Sequence, residues 1–144
     1  MSVYADTSVL VSYYVNDANS ARAQVLIHAT PGALAFTGLH RLEMRNALEL
    51  GVFRRLLTAA QARATWKSIE QDLQAARLFP TPVNWVPVFR TAAQWVVRHT
   101  ASVGCRSLDV LHVAAARKLA ATEFLSSDGR QRSLAQLLGF VVKP

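Results

Sequence analysis

Residues 124–128 read Phe-Leu-Ser-Ser-Asp, a short apolar run that favours a β-strand and ends on the carboxylate of Asp128. Residues 3–6, Val-Tyr-Ala-Asp, repeat this arrangement and end on Asp6. Short runs of this kind alternate along the chain with helical patterns, which indicates an α/β protein with a parallel sheet covered by helices on both faces. Ligands bind such sheets at the carboxyl ends of the strands, so we expect Asp6 and Asp128 at one edge.

The other elements follow from hydrophobic periodicity and from residues that begin or end helices. Strands are predicted over residues 3–5, 33–37, 78–80, 124–127 and 140–143. Helices are predicted over residues 8–15, 20–28, 39–50, 58–76 and 129–138, with two more beginning near Val86 and at Ser107. The residues predicted to set helix ends are Ser20 and the capping-box pair Thr58 and Gln61 at N-termini, and Gly51 and Gly139 at C-termini.

The composition bounds the class of protein. The chain has 144 residues, 51% of them hydrophobic, which predicts a single domain over residues 1–144 with a sizeable core. No stretch reaches the roughly 18 to 20 apolar residues that cross a bilayer, so no membrane association is expected. The N-terminal apolar run is interrupted by Asp6 and follows no basic region, so we interpret it as structure and not as a signal peptide.

The single cysteine, Cys105, excludes an internal disulfide and a thiolate zinc cage, which fits a cytoplasmic protein.

The charge balance points to a polyanionic partner. Sixteen Lys and Arg side chains face nine Asp and Glu, for a formal charge of +7. Most of the cations are arginines, whose planar guanidinium groups suit phosphate. Nucleic acid is therefore the natural partner, and ordinary solubilising charge is the alternative.

Asp6 and Asp128 also have structural interpretations. Asp6 suits a turn or the start of the first helix. Asp128 suits an N-cap, with Gln131 completing a capping-box pattern. The sequence leaves both roles open for each acid.

Glu43 is harder to explain as a structural residue. The predicted inward stripe of its helix consists of Leu39, Leu42, Ala47 and Leu50. Glu43 and Asn46 lie on that same face. A carboxylate on an inward face is costly unless it is paired or bound to a metal ion. Pairing with Arg22 or Arg41 is the structural alternative.

Asp109 stands in the first turn of the helix that begins at Ser107, where the helix dipole alone favours an acid. This helix is apolar along most of its length and is expected to be buried, so Asp109 would face the interior edge of the sheet. His112 follows one turn later. For His112 a structural role is favoured over a contact with Asp109 or a role as a proton shuttle.

Together these acids predict a metal site. Carboxylates about 4 Å apart repel by about 4 kcal/mol per pair at an effective dielectric near 20. Such a cluster needs protons or a cation, and hard oxygen ligands select Mg²⁺ or Mn²⁺. The candidate metal ligands are Asp6, Glu43, Asp109 and Asp128. The hydroxyls of Thr7 and Ser8 are predicted to hold a metal-bound water or a phosphate oxygen. Asn46 is predicted to orient Glu43 or to bind substrate.

Four segments of the chain resemble the motifs of one known family. They are residues 4–8 (Tyr-Ala-Asp-Thr-Ser), 43–48 (Glu-Met-Arg-Asn-Ala-Leu), 107–116 (Ser-Leu-Asp-Val-Leu-His-Val-Ala-Ala-Ala) and 124–131 (Phe-Leu-Ser-Ser-Asp-Gly-Arg-Gln). The chain resembles the PIN-domain ribonucleases, and most closely the VapC-like toxins of bacterial type II toxin–antitoxin pairs. The likeness runs over the whole length, and four acidic motifs in the right order are a specific signal.

The resemblance implies a three-layer α/β/α sandwich with a mainly parallel central sheet. It implies Mg²⁺- or Mn²⁺-dependent endonucleolytic cleavage of RNA by a water molecule, which leaves a 5′-phosphate. It also implies a homodimer and a small antitoxin whose tail covers the acidic pocket. The family's metal ligands correspond to Asp6, Glu43, Asp109 and Asp128, of which the fourth contributes less directly. Ser8 matches the family's hydroxyl residue better than Thr7.

Three arginines near these acids are candidate RNA contacts. Arg130 and Arg132 follow Asp128, and Arg106 precedes Asp109. Guanidinium groups at these places would grip RNA phosphates. A solvated helix face is the alternative.

Three other functions compete with a toxin. A PIN nuclease of RNA maturation would share the fold and the site. A nucleic-acid-binding module without catalysis would keep its RNA affinity in the Asp6→Ala variant. A receiver-type regulator also gathers acids at strand ends, but residues 33–37 carry no acid and no Lys matches the late-strand position, which disfavours it.

Overall fold

A computed structural model describes residues 2–143. In chain order the elements are β1 (Val3–Ala5), α1 (Thr7–Tyr14), α2 (Ser20–His28), β2 (Leu34–Phe36), α3 (Gly38–Phe53), α4 (Ala59–Gln74), β3 (Leu78–Pro80), α5 (Trp85–Trp95), a π-helical turn (Val96–Thr100), α6 (Ala101–Val103), α7 (Ser107–Lys118), β4 (Glu123–Leu125), α8 (Gly129–Leu137) and β5 (Val141–Lys143). The chain divides into two compact units. The first unit joins the residues up to Asp6 to those from Val83 onward, and the second runs from Thr7 to Pro82. The single domain over residues 1–144 stays a prediction.

The first unit is built on a three-stranded parallel sheet in the order β1-β4-β5. Phe124 of the central strand is fully buried and pairs with Tyr4 of β1 and with Val142 of β5. Since β1 and β4 run in the same direction, their carboxyl ends lie at the same edge of this sheet.

Helix α7 forms much of the core of the first unit. Residues 110–116 are all buried, and α7 packs mainly against α5. A helix that is apolar on every side gains most when it is enclosed by other elements. The prediction that the helix from Ser107 is buried is confirmed over this stretch.

The second unit contains helices α1 to α4 and a two-stranded parallel pair, β2 and β3. Leu34 pairs with Leu78 in this ladder, and both side chains are buried. Helix α1 contacts α2, α3 and α4, so it forms the centre of this unit. Every strand pairing among residues 2–143 is parallel, as predicted, although the ladders form two groups and not one continuous sheet.

Two predicted helix ends are wrong. Gly51 does not end its helix, because α3 continues to Phe53 and turns only at Arg55, which has a φ of 59°. The loop folds back so that the N–H groups of Leu56 and Leu57 both donate to the Gly51 carbonyl. A Cβ at residue 51 would lie 2.9 Å from the Leu57 side chain, so the glycine allows this close approach. Ser20 is the first residue of α2 and not its N-cap, which is Asn19. The Ser20 Oγ instead accepts the Asp17 N–H at 2.8 Å.

Two other predicted ends are confirmed. Thr58 and Gln61 form a complete capping box at the start of α4. Gly139 follows α8 with a φ of +91°, a conformation that glycine adopts at little cost. No helix within residues 2–143 is long and apolar enough to cross a bilayer.

Candidate active site

Asp6 lies directly after β1 at the carboxyl edge of the sheet in the first unit. Its backbone N–H donates to the Leu125 carbonyl at 2.9 Å, which extends the pairing of β1 with β4 by one residue. The residue is buried, at 5% exposure. A carboxylate enclosed to this degree requires polar partners.

Gln131 supplies one of these partners and joins two of the predicted acids. Its side chain is fully buried, and Nε2 lies 3.3 Å from Asp6 Oδ1 and 3.1 Å from the carbonyl oxygen of Asp109. Its Oε1 accepts the Ser126 hydroxyl at 2.6 Å. The amide thus holds the end of β1 against the first turn of α7.

Asp128 is the N-cap of α8. Its Oδ1 accepts the Gln131 backbone N–H at 2.8 Å, which confirms the capping interpretation. The predicted second half of the capping box is wrong. The Asp128 N–H donates to Ser126 Oγ at 3.0 Å, while the Gln131 side chain bonds to Asp6 and Asp109. Asp128 also borders the cavity described below, so capping does not remove it from the candidate site.

Asp109 is half-buried in the first turn of α7. Its Oδ2 lies 3.2 Å from Nε of Arg106, whose side chain is largely exposed. Burial raises the pKa of the Asp109 carboxyl, the Arg106 guanidinium lowers it, and the charges of Asp6 and Asp128 raise it further. The charges of Asp6 and Asp128 therefore both act on the Asp109 carboxyl.

His112 lies beside Asp6. Its Nε2 lies 3.5 Å from Asp6 Oδ1, and its Nδ1 lies 2.7 Å from the Tyr4 hydroxyl. The imidazole is 1% exposed. Its interpretation as a buried histidine with polar partners agrees with this environment.

A cavity of about 650 Å³ opens beside Asp109 and Asp128. Its lining residues are Ser102, Val103, Gly104, Arg106, Asp109, Asp128, Gly129, Arg130 and Ser133. Gly104 has a φ of +77°, and a Cβ on it would lie 3.7 Å from the Arg130 side chain. Two guanidinium groups, those of Arg106 and Arg130, thus border a cavity that also presents carboxylates.

Cys105 links the segment around Gly104 and Arg106 to the start of α8 beside this cavity. Its Sγ donates to the Arg130 carbonyl at 3.2 Å. Burial, followed by the charges of Asp109 and Asp128, raises the pKa of the Cys105 thiol to about 11, and Arg130 opposes this. The thiol therefore keeps its proton at neutral pH and remains the donor in this contact.

Glu43 belongs to the second unit, where its Oε1 accepts the Thr7 hydroxyl at 2.9 Å. Thr7 is buried at the start of α1 and directly follows Asp6 in the chain, while Ser8 is half-buried. Asn46 is exposed on α3, so its predicted place on the inward face is wrong. The roles predicted for Glu43, Ser8 and Asn46 stay predictions.

The predicted inward stripe of α3 is partly wrong. Leu42 and Leu50 are exposed, and Met44 and Leu48 are buried in their place. The pattern was misjudged because α3 carries apolar residues on more than one side. Glu43 is nevertheless half-buried, as a neighbour of this shifted core face.

Arg132, the third arginine predicted to contact RNA, is half-buried in α8. Among the described residues its Nε has no hydrogen-bond partner. Its predicted contact with RNA stays a prediction, as do those of Arg106 and Arg130.

The donor chemistry of the acids fits a hard divalent cation. The charges of Asp6 and Asp128 raise the pKa of Asp109, and a cation would relieve that repulsion. Within residues 2–143 no group of three or more His, Cys, Asp or Glu side chains is arranged to hold an ion. Mg²⁺ is commonly held by one or two carboxylates together with waters and substrate phosphates. The metal site stays a prediction.

Residues 3–137 match the family model described as PIN domain. The chain belongs to the PIN domain family. This membership confirms the resemblance that the four acidic segments indicate, and it supports nuclease activity. A search of curated proteins gives no match.

Two solved structures share the PIN fold of this chain. VapC20 of Mycobacterium tuberculosis, described as a sarcin-ricin loop cleaving toxin, superimposes with a TM-score of 0.70 at 20% identity, over 99% of this chain and 100% of that one. FitAcB from Neisseria gonorrhoeae superimposes with a TM-score of 0.67 at 16% identity, over 99% of this chain and 96% of that one. The predicted α/β fold of PIN type, with a parallel sheet, is confirmed.

Sequence reasoning missed two residues of this PIN domain's polar network. The sequence pattern predicts only a capping role for Gln131 and only a place in the first-strand motif for Tyr4. A polar side chain three residues after Asp128 is a weak signal, because helix first turns are often polar. Tyr4 gives no signal at all, since tyrosine is a common strand residue.

Proposed function

We propose that this chain is a Mg²⁺- or Mn²⁺-dependent endoribonuclease and the toxin of a toxin–antitoxin pair. The observation that carries this proposal is the link through Gln131 between Asp6 and the Asp109 turn, beside a cavity bordered by arginines. Membership of the PIN family supports the nuclease class. The fold shared with a toxin described as cleaving the sarcin-ricin loop supports the narrower assignment.

The carboxylates proposed to hold the ion are Asp6, Glu43, Asp109 and Asp128. When bound, the ion would supply activation of a water molecule and neutralisation of charge on the scissile phosphate. Gln131 keeps Asp6 in place by donating to its Oδ1, and keeps the α7 turn in place by donating to the Asp109 carbonyl. The hydroxyl of Thr7 fixes the orientation of Glu43.

RNA is the proposed substrate because of the charge that surrounds the acids. Arg106 and Arg130 border a cavity whose volume of about 650 Å³ suits a nucleotide. Their guanidinium groups would bind phosphates of the RNA backbone, and Arg132 is a further candidate. The formal charge of +7 favours association with a polyanion.

A small antitoxin and a second copy of the chain are the proposed protein partners. An apolar row on α5 and the following π-helical turn supports a homodimer. Its members Val86, Phe89 and Val97 are 69%, 58% and 84% exposed. Large apolar side chains exposed on one helical face mark candidate protein interfaces.

The proposal is tested by RNA cleavage. Wild type, Asp6→Asn and Asp109→Asn are incubated with end-labelled RNA and Mg²⁺ or Mn²⁺, with and without a chelator. Each substitution keeps the size of the side chain and removes its charge, so we expect cleavage to fall by at least about 100-fold. Glu49→Gln, at an exposed carboxylate of α3, is the matched control and should cleave like wild type.

Circular dichroism of each variant separates lost activity from lost folding. Equal cleavage by all four proteins, or cleavage that survives the chelator, would overturn the proposal. RNA binding without cleavage by wild type would favour a binding module instead.

A further inference from the structure

A buried series of polar side chains leads from Tyr4 through His112 to Asp6. The Tyr4 hydroxyl lies 2.7 Å from His112 Nδ1, and His112 Nε2 lies 3.5 Å from Asp6 Oδ1. Tyr4 and His112 are each 1% exposed. Asp6 Oδ1 is also the atom that the Gln131 amide approaches, at 3.3 Å.

The core of the first unit does not require these polar atoms for packing. The Tyr4 ring stacks on Phe124 with centroids 5.7 Å apart, and it meets the edge of the His112 ring at 5.8 Å. Phenylalanine at residue 4 would preserve both ring contacts. Apolar groups of the same shape could replace a buried hydroxyl and imidazole that bond to each other with little loss of stability, so packing alone does not explain the pair.

The groups beside the two ring nitrogens indicate which nitrogen of His112 carries the proton. A neutral imidazole donates from one nitrogen and accepts at the other. The Asp6 carboxylate only accepts, so it favours the tautomer with the proton on Nε2. Nδ1 then accepts from the Tyr4 hydroxyl, and the series runs from Tyr4 to His112 to Asp6.

We propose that Tyr4 and His112 are positioning residues, which orient the Asp6 carboxylate for binding of the divalent ion. This inference rests on the proposed function. Tyr4 sets the tautomer and the ring orientation of His112, and His112 and Gln131 both direct donors at Asp6 Oδ1. Partners that orient a metal-binding side chain typically change metal affinity or activity by about 10- to 100-fold when they are removed.

The test measures Mn²⁺ binding to the RNA-free protein by electron paramagnetic resonance. The variants are Tyr4→Phe, His112→Leu and His112→Gln. Tyr4→Phe and His112→Leu should raise the dissociation constant by about 10-fold or more. His112→Gln places an amide near the position of Nε2, so it should recover part of the affinity.

A second tyrosine–histidine pair provides matched controls. The Tyr13 hydroxyl lies 3.4 Å from His28 Nε2 on the exposed surface of the second unit. Tyr13→Phe and His28→Gln should therefore bind Mn²⁺ like wild type. Thermal melting identifies the variants that are folded, and Tyr4→Phe, the mildest change, keeps the test decisive if His112→Leu does not fold.

The imidazole tautomer gives a readout that is independent of metal. Long-range proton–nitrogen correlation spectra of the metal-free protein should show His112 protonated on Nε2, and Tyr4→Phe should perturb this state. The opposite tautomer in wild type would overturn the inference. So would wild-type Mn²⁺ affinity in folded Tyr4→Phe and His112→Leu.

The two proposals fail in different ways. If wild type binds Mn²⁺ and Asp6→Asn does not, while the Tyr4 and His112 variants match wild type, only the positioning role is wrong. If wild type binds no Mn²⁺ and Asp6→Asn cleaves RNA normally, the proposed function is wrong, and the positioning role toward the ion is wrong with it.

Discussion

At the scale of single residues, Gln131 accounts for the form of the candidate site. Each polar atom of its buried amide has a partner of the correct kind: the carboxylate of Asp6 and the carbonyl of Asp109 accept, and the Ser126 hydroxyl donates. A buried amide with a missing partner costs roughly 1–3 kcal/mol. The side chain therefore has one favourable orientation, and that orientation joins β1 to α7.

Cys105 provides a residue-scale prediction about pH. Its pKa is raised from 9.0 to about 11, mainly by burial, so the thiolate fraction at pH 8 is about 100-fold lower than in an unfolded chain. Reaction with a disulfide reagent should be slower by at least that factor in the native protein. The rate should keep rising with pH up to about 11 and not level off near 9.

The reaction is followed by absorbance, with the guanidinium-unfolded protein as the reference. Rapid labelling of the native protein at pH 7 would contradict the burial of the thiol and its contact with the Arg130 carbonyl.

The acids of the candidate site stand out in the sequence because they follow apolar runs or interrupt apolar helices, and their role as metal ligands stays a prediction. Their polar partners could not. The contact between Gln131 and Asp6 spans most of the chain, and it depends on how β1, α7 and α8 pack. A local pattern explains only the bond between Asp128 and the Gln131 backbone, which is separated by three residues.

At the scale of elements, Asp128 has two roles at the start of α8. The carboxylate caps the helix and also borders the cavity. Asparagine retains the Oδ1 acceptor and removes the charge, whereas alanine removes both. The two substitutions therefore separate capping from charge.

We expect Asp128→Ala to lower the free energy of unfolding by about 1 kcal/mol. Asp128→Asn should lie close to wild type in stability, and both variants should cleave RNA more slowly. Urea denaturation and the RNA cleavage assay measure the two effects. Wild-type cleavage by Asp128→Asn would limit Asp128 to capping, and equal stability of both variants would contradict the cap.

The accuracy of helix prediction differed between elements for a physical reason. The start of α4 is well predicted because Thr58 and Gln61 act on each other within one turn. The end of α3 was misplaced because a glycine at the end of a periodic pattern usually stops a helix. Here Gly51 serves the packing of Leu57, a contact that depends on the following loop.

At the scale of the whole molecule, the excess of arginine would govern the approach of the proposed RNA substrate. Sixteen cationic side chains against nine acids give a net attraction to any polyanion. This attraction does not depend on the nucleotide sequence. Salt weakens this attraction because binding releases counterions from the RNA. The number of phosphates contacted can therefore be obtained from the dependence of affinity on salt.

We expect the logarithm of the RNA association constant to fall linearly with the logarithm of the salt concentration. The measurement uses fluorescence anisotropy with Asp6→Asn, so that the single-stranded RNA stays intact. In that background Arg106→Gln and Arg130→Gln should each reduce the slope by about 0.7, the value for one lost phosphate contact on a single strand. Arg63→Gln, an exposed arginine of α4 in the second unit, is the control and should keep the slope of its parent. Unchanged slopes in the first two variants would show that the RNA does not pass the cavity they border, because a lost phosphate contact must alter the counterion release.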